Sequence, residues 1–202
     1  MKTSNKFTTM RVAFAPFFFL IYNIPLWTQS ELLYKISAFC MIPLLALFEL
    51  TDFFDGYYAR KNGEVSDFGK LYDPFADVML NLTVFLCATK SAAGNGVSYM
   101  PLVIFALILY REFSMNFIRM VAVSKGTAIA ARKGGKFKTV FYITSGFFML
   151  AVESALRLGF EPVCFASLLV VAKILFSVCL VLSYISFIDY IKTFYSLIKN
   201  GS

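Results

Sequence analysis

Residues 51–80 read TDFFDGYYARKNGEVSDFGKLYDPFADVML, and the reading of this stretch decides the fold. It carries two aspartate pairs, Asp52 with Asp55 and Asp73 with Asp77, each beside a long apolar run. Spacings of three and four residues put both members of a pair on one face of a helix. Between the pairs lies a polar stretch holding Gly56, Arg60, Lys61, Gly63 and Gly69. Two helices packed antiparallel through such ends bring four carboxylates together near a membrane surface. Carboxylate charge beside hydrocarbon is costly unless cations balance it. The stretch therefore predicts a site for two metal ions, or for a metal ion and a general base, at the mouth of a membrane bundle. Phosphoryl chemistry is the use that suits it.

Working outward, the chain is 59% hydrophobic and 15% charged, against about a quarter charged in soluble domains. Apolar runs of spanning length recur at 12–27, 32–54, 71–88, 101–120, 140–156 and 163–191. The expectation is an all-α polytopic membrane protein with six transmembrane helices and a short N-terminal interfacial segment. Spans and short connections use up the whole length, so residues 1–202 form a single integral-membrane domain. Polar loops are expected at 59–70, 91–98 and 121–138. The fourth run carries Arg111, Glu112 and Arg119 in its later part, which is expected to project beyond the hydrocarbon. Arg157 is expected to open the turn before the sixth run. No cleavable leader is expected, because Pro25 and Trp27 follow the first run without a small-residue cleavage site.

The net charge is +7, and where the basic residues fall matters more than the sum. Six spans put both termini on one side. Of the 19 Lys and Arg, all but Lys35, Lys90, Arg157 and Lys173 fall on that side. The positive-inside rule then places the termini, the aspartates and the basic 121–138 segment in the cytoplasm. With the cations arranged as topology and anionic lipid demand, the partner is the bilayer and no nucleic acid is expected.

The chain has no His, which removes His bases, His triads and the usual zinc ligands. Cys40, Cys87, Cys164 and Cys179 stand singly in apolar runs and read as small hydrophobes. Hard divalent cations such as Mg²⁺ prefer carboxylate and phosphate oxygens. One of the aspartates can instead take a proton from an attacking hydroxyl. Gly56 and Ala59 allow a nucleotide close to the backbone, and Arg60 offers a fork of donors to a phosphate.

The pattern Asp52-x2-Asp55-Gly56-x2-Ala59-Arg60-x8-Gly69-x3-Asp73-x3-Asp77 resembles the signature of the CDP-alcohol phosphotransferases at every fixed position. That resemblance implies six spanning helices, a homodimer, and transfer of a substituted phosphate from a CDP-linked donor to an alcohol with release of CMP. It implies that Asp52, Asp55, Asp73 and Asp77 hold Mg²⁺ or Mn²⁺ and that Asp77 is the general base. It further implies that Asp52, Gly56, Ala59, Arg60 and Gly69 shape the nucleotide pocket.

Outside the core motif, 8–11 (TTMR), 66–77 (SDFGKLYDPFAD), 111–113 (REF), 121–131 (VAVSKGTAIAA) and 135–139 (GKFKT) resemble the family's bacterial phosphatidylglycerophosphate synthases. The implied substrates are CDP-diacylglycerol and glycerol 3-phosphate, at the bacterial cytoplasmic membrane. A small dianionic acceptor needs cations near the aspartates, and Arg111, Arg119, Lys125, Lys136 and Lys138 are the candidates. Eight residues apart, Arg111 and Arg119 lie about 80° apart around a regular helix, so both can border one cleft. Two positions depart from the subfamily: Val78 follows the last aspartate where Lys is usual, and Glu49 adds a carboxylate before Asp52. The alternatives are a synthase of phosphatidylserine, phosphatidylinositol phosphate or cardiolipin, and, in another class, a divalent-cation transporter. The one-ended carboxylates and the lack of an internal repeat argue against the transporter.

Overall fold

The computed structural model describes residues 3–61, 67–94, 96–124, 133–160 and 163–199. The side chains of 3–7, 52–61, 67, 68, 70, 133, 134, 136, 193 and 195–199 lie outside that description. The described residues form six helices and no strand: α1 (Thr3–Thr28), α2 (Glu31–Lys61), α3 (Asp67–Cys87), α4 (Leu102–Ser124), α5 (Lys133–Arg157) and α6 (Phe165–Lys199). Long apolar runs make them, since helices and closed barrels alone satisfy the backbone inside a bilayer, where internal prolines such as Pro16, Pro43 and Pro74 are tolerated. Four helices are long and apolar enough to cross a membrane, over Thr8–Thr28, Glu31–Thr51, Phe137–Arg157 and Phe165–Lys192. The other two, α3 and α4, carry Asp73 and Asp77, and Arg111, Glu112 and Arg119, within their apolar stretches. The chain is a polytopic membrane protein.

Helix ends differ in part from the expected spans. Residues 3–11 join α1 without a break, so the N-terminal lead-in continues the first helix. α2 runs on to Lys61 and α3 starts at Asp67, shortening the expected polar loop from both ends. Arg157 sits in the last turn of α5 rather than in the turn beyond it. The stop comes at Gly159, whose φ of +82° suits glycine. Gly159 N–H donates to Leu156 C=O (3.0 Å) and Phe160 N–H to Ala155 C=O (3.0 Å), a Schellman closure.

The packing is a closed circuit. α1 contacts α2 and α3, α2 contacts α5, α5 contacts α6, α6 contacts α4, and α4 returns to α3. α3 also crosses to α5. Direct α2–α3 packing, expected from the aspartate spacing, is not found among the described residues, where α1 contacts both helices instead. Phe14 of α1 stacks on Phe48 of α2 at 3.6 Å between ring centroids. Phe85 of α3 meets Tyr142 of α5 (4.8 Å) and Phe176 of α6 (5.2 Å). Such pairs contribute about 0.5–1.5 kcal/mol each beyond their buried area. Gly146 lets α5 approach closely: a Cβ there would lie 3.1 Å from Val84 Cγ1.

The contacts also order the two ends. Thr8 and Arg11 meet α3 at its start, whereas Tyr22 meets Lys90 just past its end. At this second end Glu153 and Arg157 are fully buried and pair at 2.9 Å. Arg157 also donates to Ser37 Oγ (2.7 Å) and Tyr22 C=O (3.0 Å). Glu153 accepts from Ser91 Oγ (2.8 Å), Tyr99 OH (3.0 Å) and Ala92 N–H (3.0 Å). Burial, and then the Glu153 carboxylate, push the Tyr99 hydroxyl well above its ordinary pKa, so it stays a donor. This network ties the α3–α4 connection to α1, α2 and α5.

Candidate active site

At the first end, Asp73 and Asp77 lie one turn apart on α3, both partly buried. Thr8 Oγ donates to Asp73 Oδ1 (2.7 Å), and the buried Arg11 guanidinium pairs with Asp77 Oδ1. Tyr72 OH reaches Thr9 Oγ (3.2 Å). A turn further, the Asn81 amide donates to Asp77 C=O (2.9 Å). The first helix thus supplies partners to both carboxylates, while the Asp77 side chain keeps 38% of its surface exposed.

That exposed surface borders a cavity of about 160 Å³ between α3, α4, α5 and α6. Arg111, Glu112, Arg119, Lys138 and Tyr142 line it together with Asp77. The fourth-helix charges Arg111, Glu112 and Arg119 are thus packed among helices. Arg111 is buried and donates through Nε to Ser183 C=O (2.9 Å) and through Nη1 to Glu112 Oε2 (2.8 Å). Glu112, 2% exposed, accepts from Lys138 Nζ (2.7 Å) and Tyr142 OH (2.9 Å) on its other oxygen. The Arg119 guanidinium lies 5.9 Å from the centroid of the Tyr190 ring. Its buried Nε has no hydrogen-bond partner among the described residues. An unsatisfied guanidinium N–H beside a cavity is a ready donor for an anion.

The structure thus brings Asp77, Arg111, Arg119 and Lys138 to one cavity, with Asp73 one turn away. α2 carries Asp52, Asp55, Gly56, Ala59 and Arg60 in its last turns, but their side chains lie outside the described residues. Lys125 and the Lys136 side chain lie outside them too, and Gly69 is in the first turn of α3. Along α2 the buried stripe is Met41, Leu45 and Phe48, and Asp52 and Asp55 continue its three-to-four spacing. Among the described residues no three metal-ligating side chains meet. Asp73 and Asp77 offer the oxygen donors that Mg²⁺ and Mn²⁺ take, so the donor chemistry present fits a hard divalent ion.

Sequence reading missed the pairing roles of Thr8, Arg11 and Glu112 and all of Tyr142 and Tyr190. A signal existed for two of them. Arg11 opens an apolar run, and Glu112 stands inside another beside Arg111; ionisable residues so placed need interior partners.

Comparison with known proteins points the same way. The profile of the CDP-alcohol phosphatidyltransferase family matches residues 1–185. A Treponema pallidum (strain Nichols) protein named CDP-diacylglycerol--glycerol-3-phosphate 3-phosphatidyltransferase is 34% identical, over 98% of this chain and 92% of its own. A Bacillus subtilis (strain 168) protein of that name is 32% identical over 80% of each chain. One from Rickettsia typhi is 30% identical over 93% of this chain and 94% of its own.

Proposed function

Because this chain belongs to the CDP-alcohol phosphatidyltransferase family, we propose that it transfers the phosphatidyl group of CDP-diacylglycerol to glycerol 3-phosphate, releasing CMP. The observation that carries this reading is the single cavity bordered by Asp77 and by Arg111, Arg119 and Lys138. A base and a cluster of cations share one small space, as an acceptor with a hydroxyl at one end and a phosphate at the other requires.

In this mechanism the donor's tails lie in the bilayer and its diphosphate lies over the aspartates. Asp52, Asp55, Asp73 and Asp77 would hold Mg²⁺ or Mn²⁺, which when bound supplies positive charge against the diphosphate. Gly56, Ala59, Arg60 and Gly69 form the cytidine side. Arg111, Arg119 and Lys138 hold the acceptor phosphate, with Lys125 and Lys136 at its approach. Asp77 takes the proton of the acceptor's primary hydroxyl. The freed oxygen attacks the phosphorus bearing the lipid, and the bond to CMP breaks. Arg11, already paired with Asp77, holds that carboxylate in place.

The clustering of basic residues supports a cytoplasmic face for this end, in the bacterial cytoplasmic membrane. The protein works as a homodimer in this reading. The test is product identification by mass spectrometry, from purified protein given CDP-diacylglycerol and a mixture of glycerol 3-phosphate, serine, inositol phosphate and phosphatidylglycerol. Phosphatidylglycerophosphate and CMP are expected, and both should vanish in excess chelator. A different phosphatidyl product would reassign the acceptor, and full activity in chelator would remove the metal.

A further inference from the structure

We propose that Glu112 sets the net charge of the acceptor pocket and so selects a phosphomonoester dianion. The inference rests on the reading above, in which Arg111, Arg119 and Lys138 take the acceptor phosphate. These three cations and Glu112 line the same cavity. Arg111, Arg119 and Lys138 against Glu112 leave two positive charges around the acceptor phosphate, and Asp77, the other acidic side chain of the lining, is counted with the hydroxyl end, where it pairs with Arg11. A phosphomonoester carries about −1.5 to −2 charges at pH 7, so the pocket and its ligand neutralise each other.

Position makes Glu112 more than a spacer. It is 2% exposed and engages two of the three cations, Arg111 at 2.8 Å and Lys138 at 2.7 Å. Tyr142 OH, at 2.9 Å, holds the carboxylate from α5. Arg119 has no described contact with it and retains a buried N–H without a partner among the described residues. The cluster therefore divides into a paired half, Arg111 and Lys138 on Glu112, with one positive charge to spare, and an open half, Arg119. Among buried side chains such as Arg111 and Glu112, every unbalanced charge is costly. A neutral alcohol would leave two positive charges exposed to that cost, and a more highly charged anion would overshoot. Selection then comes from the charge sum, and not only from the number of donors.

A double-mutant cycle tests this, with KM measured for glycerol 3-phosphate and, separately, for CDP-diacylglycerol. Lys138→Met leaves one net positive charge around the acceptor phosphate and takes from Glu112 Oε1 its charged donor, with Tyr142 OH still on that oxygen. It should raise the KM for glycerol 3-phosphate about tenfold or more, with the KM for CDP-diacylglycerol within about twofold. Glu112→Gln combined with Lys138→Met restores two positive charges. This double variant should recover at least about threefold of the lost affinity, although it has lost two native side chains. A double variant as poor as Lys138→Met, or poorer, overturns the charge-setting role even if both proteins are stable. Equal recovery in both KM values marks a purely structural rescue and also overturns it. If wild-type protein uses glycerol 3-phosphate but neither variant moves its KM, the cation pocket is wrong, and this proposal goes with it. Wild-type protein that ignores glycerol 3-phosphate instead refutes the acceptor assignment itself.

Discussion

The two ends of the bundle each bury an acidic residue beside an arginine, yet they are built to opposite purposes. Glu153 and Arg157 close on each other and on Ser37, Tyr22, Ser91, Tyr99 and the Ala92 amide. Glu112 and Arg111 border open space with Lys138 and Arg119, whose buried Nε–H has no partner among the described residues. Cavity size alone would mislead. The larger space, about 470 Å³, lies at the Glu153 end, lined by Trp27, Tyr34 and Lys90 among others, but touches neither Glu153 nor Arg157. What separates a strut from a site is whether the charged groups are already satisfied.

The contrast can be broken in several ways. The largest effect is expected from Asp77→Asn, which should lower turnover by at least about a hundredfold, since a general base contributes 10²–10⁴. Membrane insertion and the elution profile in detergent should be unchanged; wild-type turnover would remove Asp77 as the base. Next comes Glu153→Gln at the closed end. Leaving Arg157 buried without its counter-ion should cost about 3–5 kcal/mol of stability, read as a lower thermal midpoint in detergent. Both KM values should hold, and a changed KM with intact stability would erase the distinction between the ends. Arg119→Gln should behave in the reverse sense, raising the KM for glycerol 3-phosphate about tenfold by removing a charged donor, with the thermal midpoint nearly constant. The smallest effect belongs to Tyr99→Phe. It removes one donor of several to Glu153, so a loss of about 1 kcal/mol in stability and no kinetic change are expected.

Much of this was legible before any coordinates. Apolar runs gave the helices, because length and hydropathy dominate in a bilayer. The spacing of Arg111 and Arg119 anticipated that both would line one cleft. Helix ends were less legible. Arg157 read as a turn residue because hydropathy fades there, whereas the stop depends on Gly159 adopting positive φ. The polar partners were least legible. Glu112 meets Lys138 and Tyr142 only because α4 and α5 both reach the cavity, and Arg11 meets Asp77 across 66 residues of chain. Local periodicity says nothing of such pairs. The Glu153–Arg157 pair was an exception that a closer look at i,i+4 spacing would have found.

The first helix has a consequence for anyone who wishes to alter the beginning of the protein. Thr8 and Arg11 are the hands by which it grasps the two α3 carboxylates. A foreign leader of equal length and greasiness would insert just as well, yet would leave those acids ungoverned. What looks like an anchor is also part of the machine.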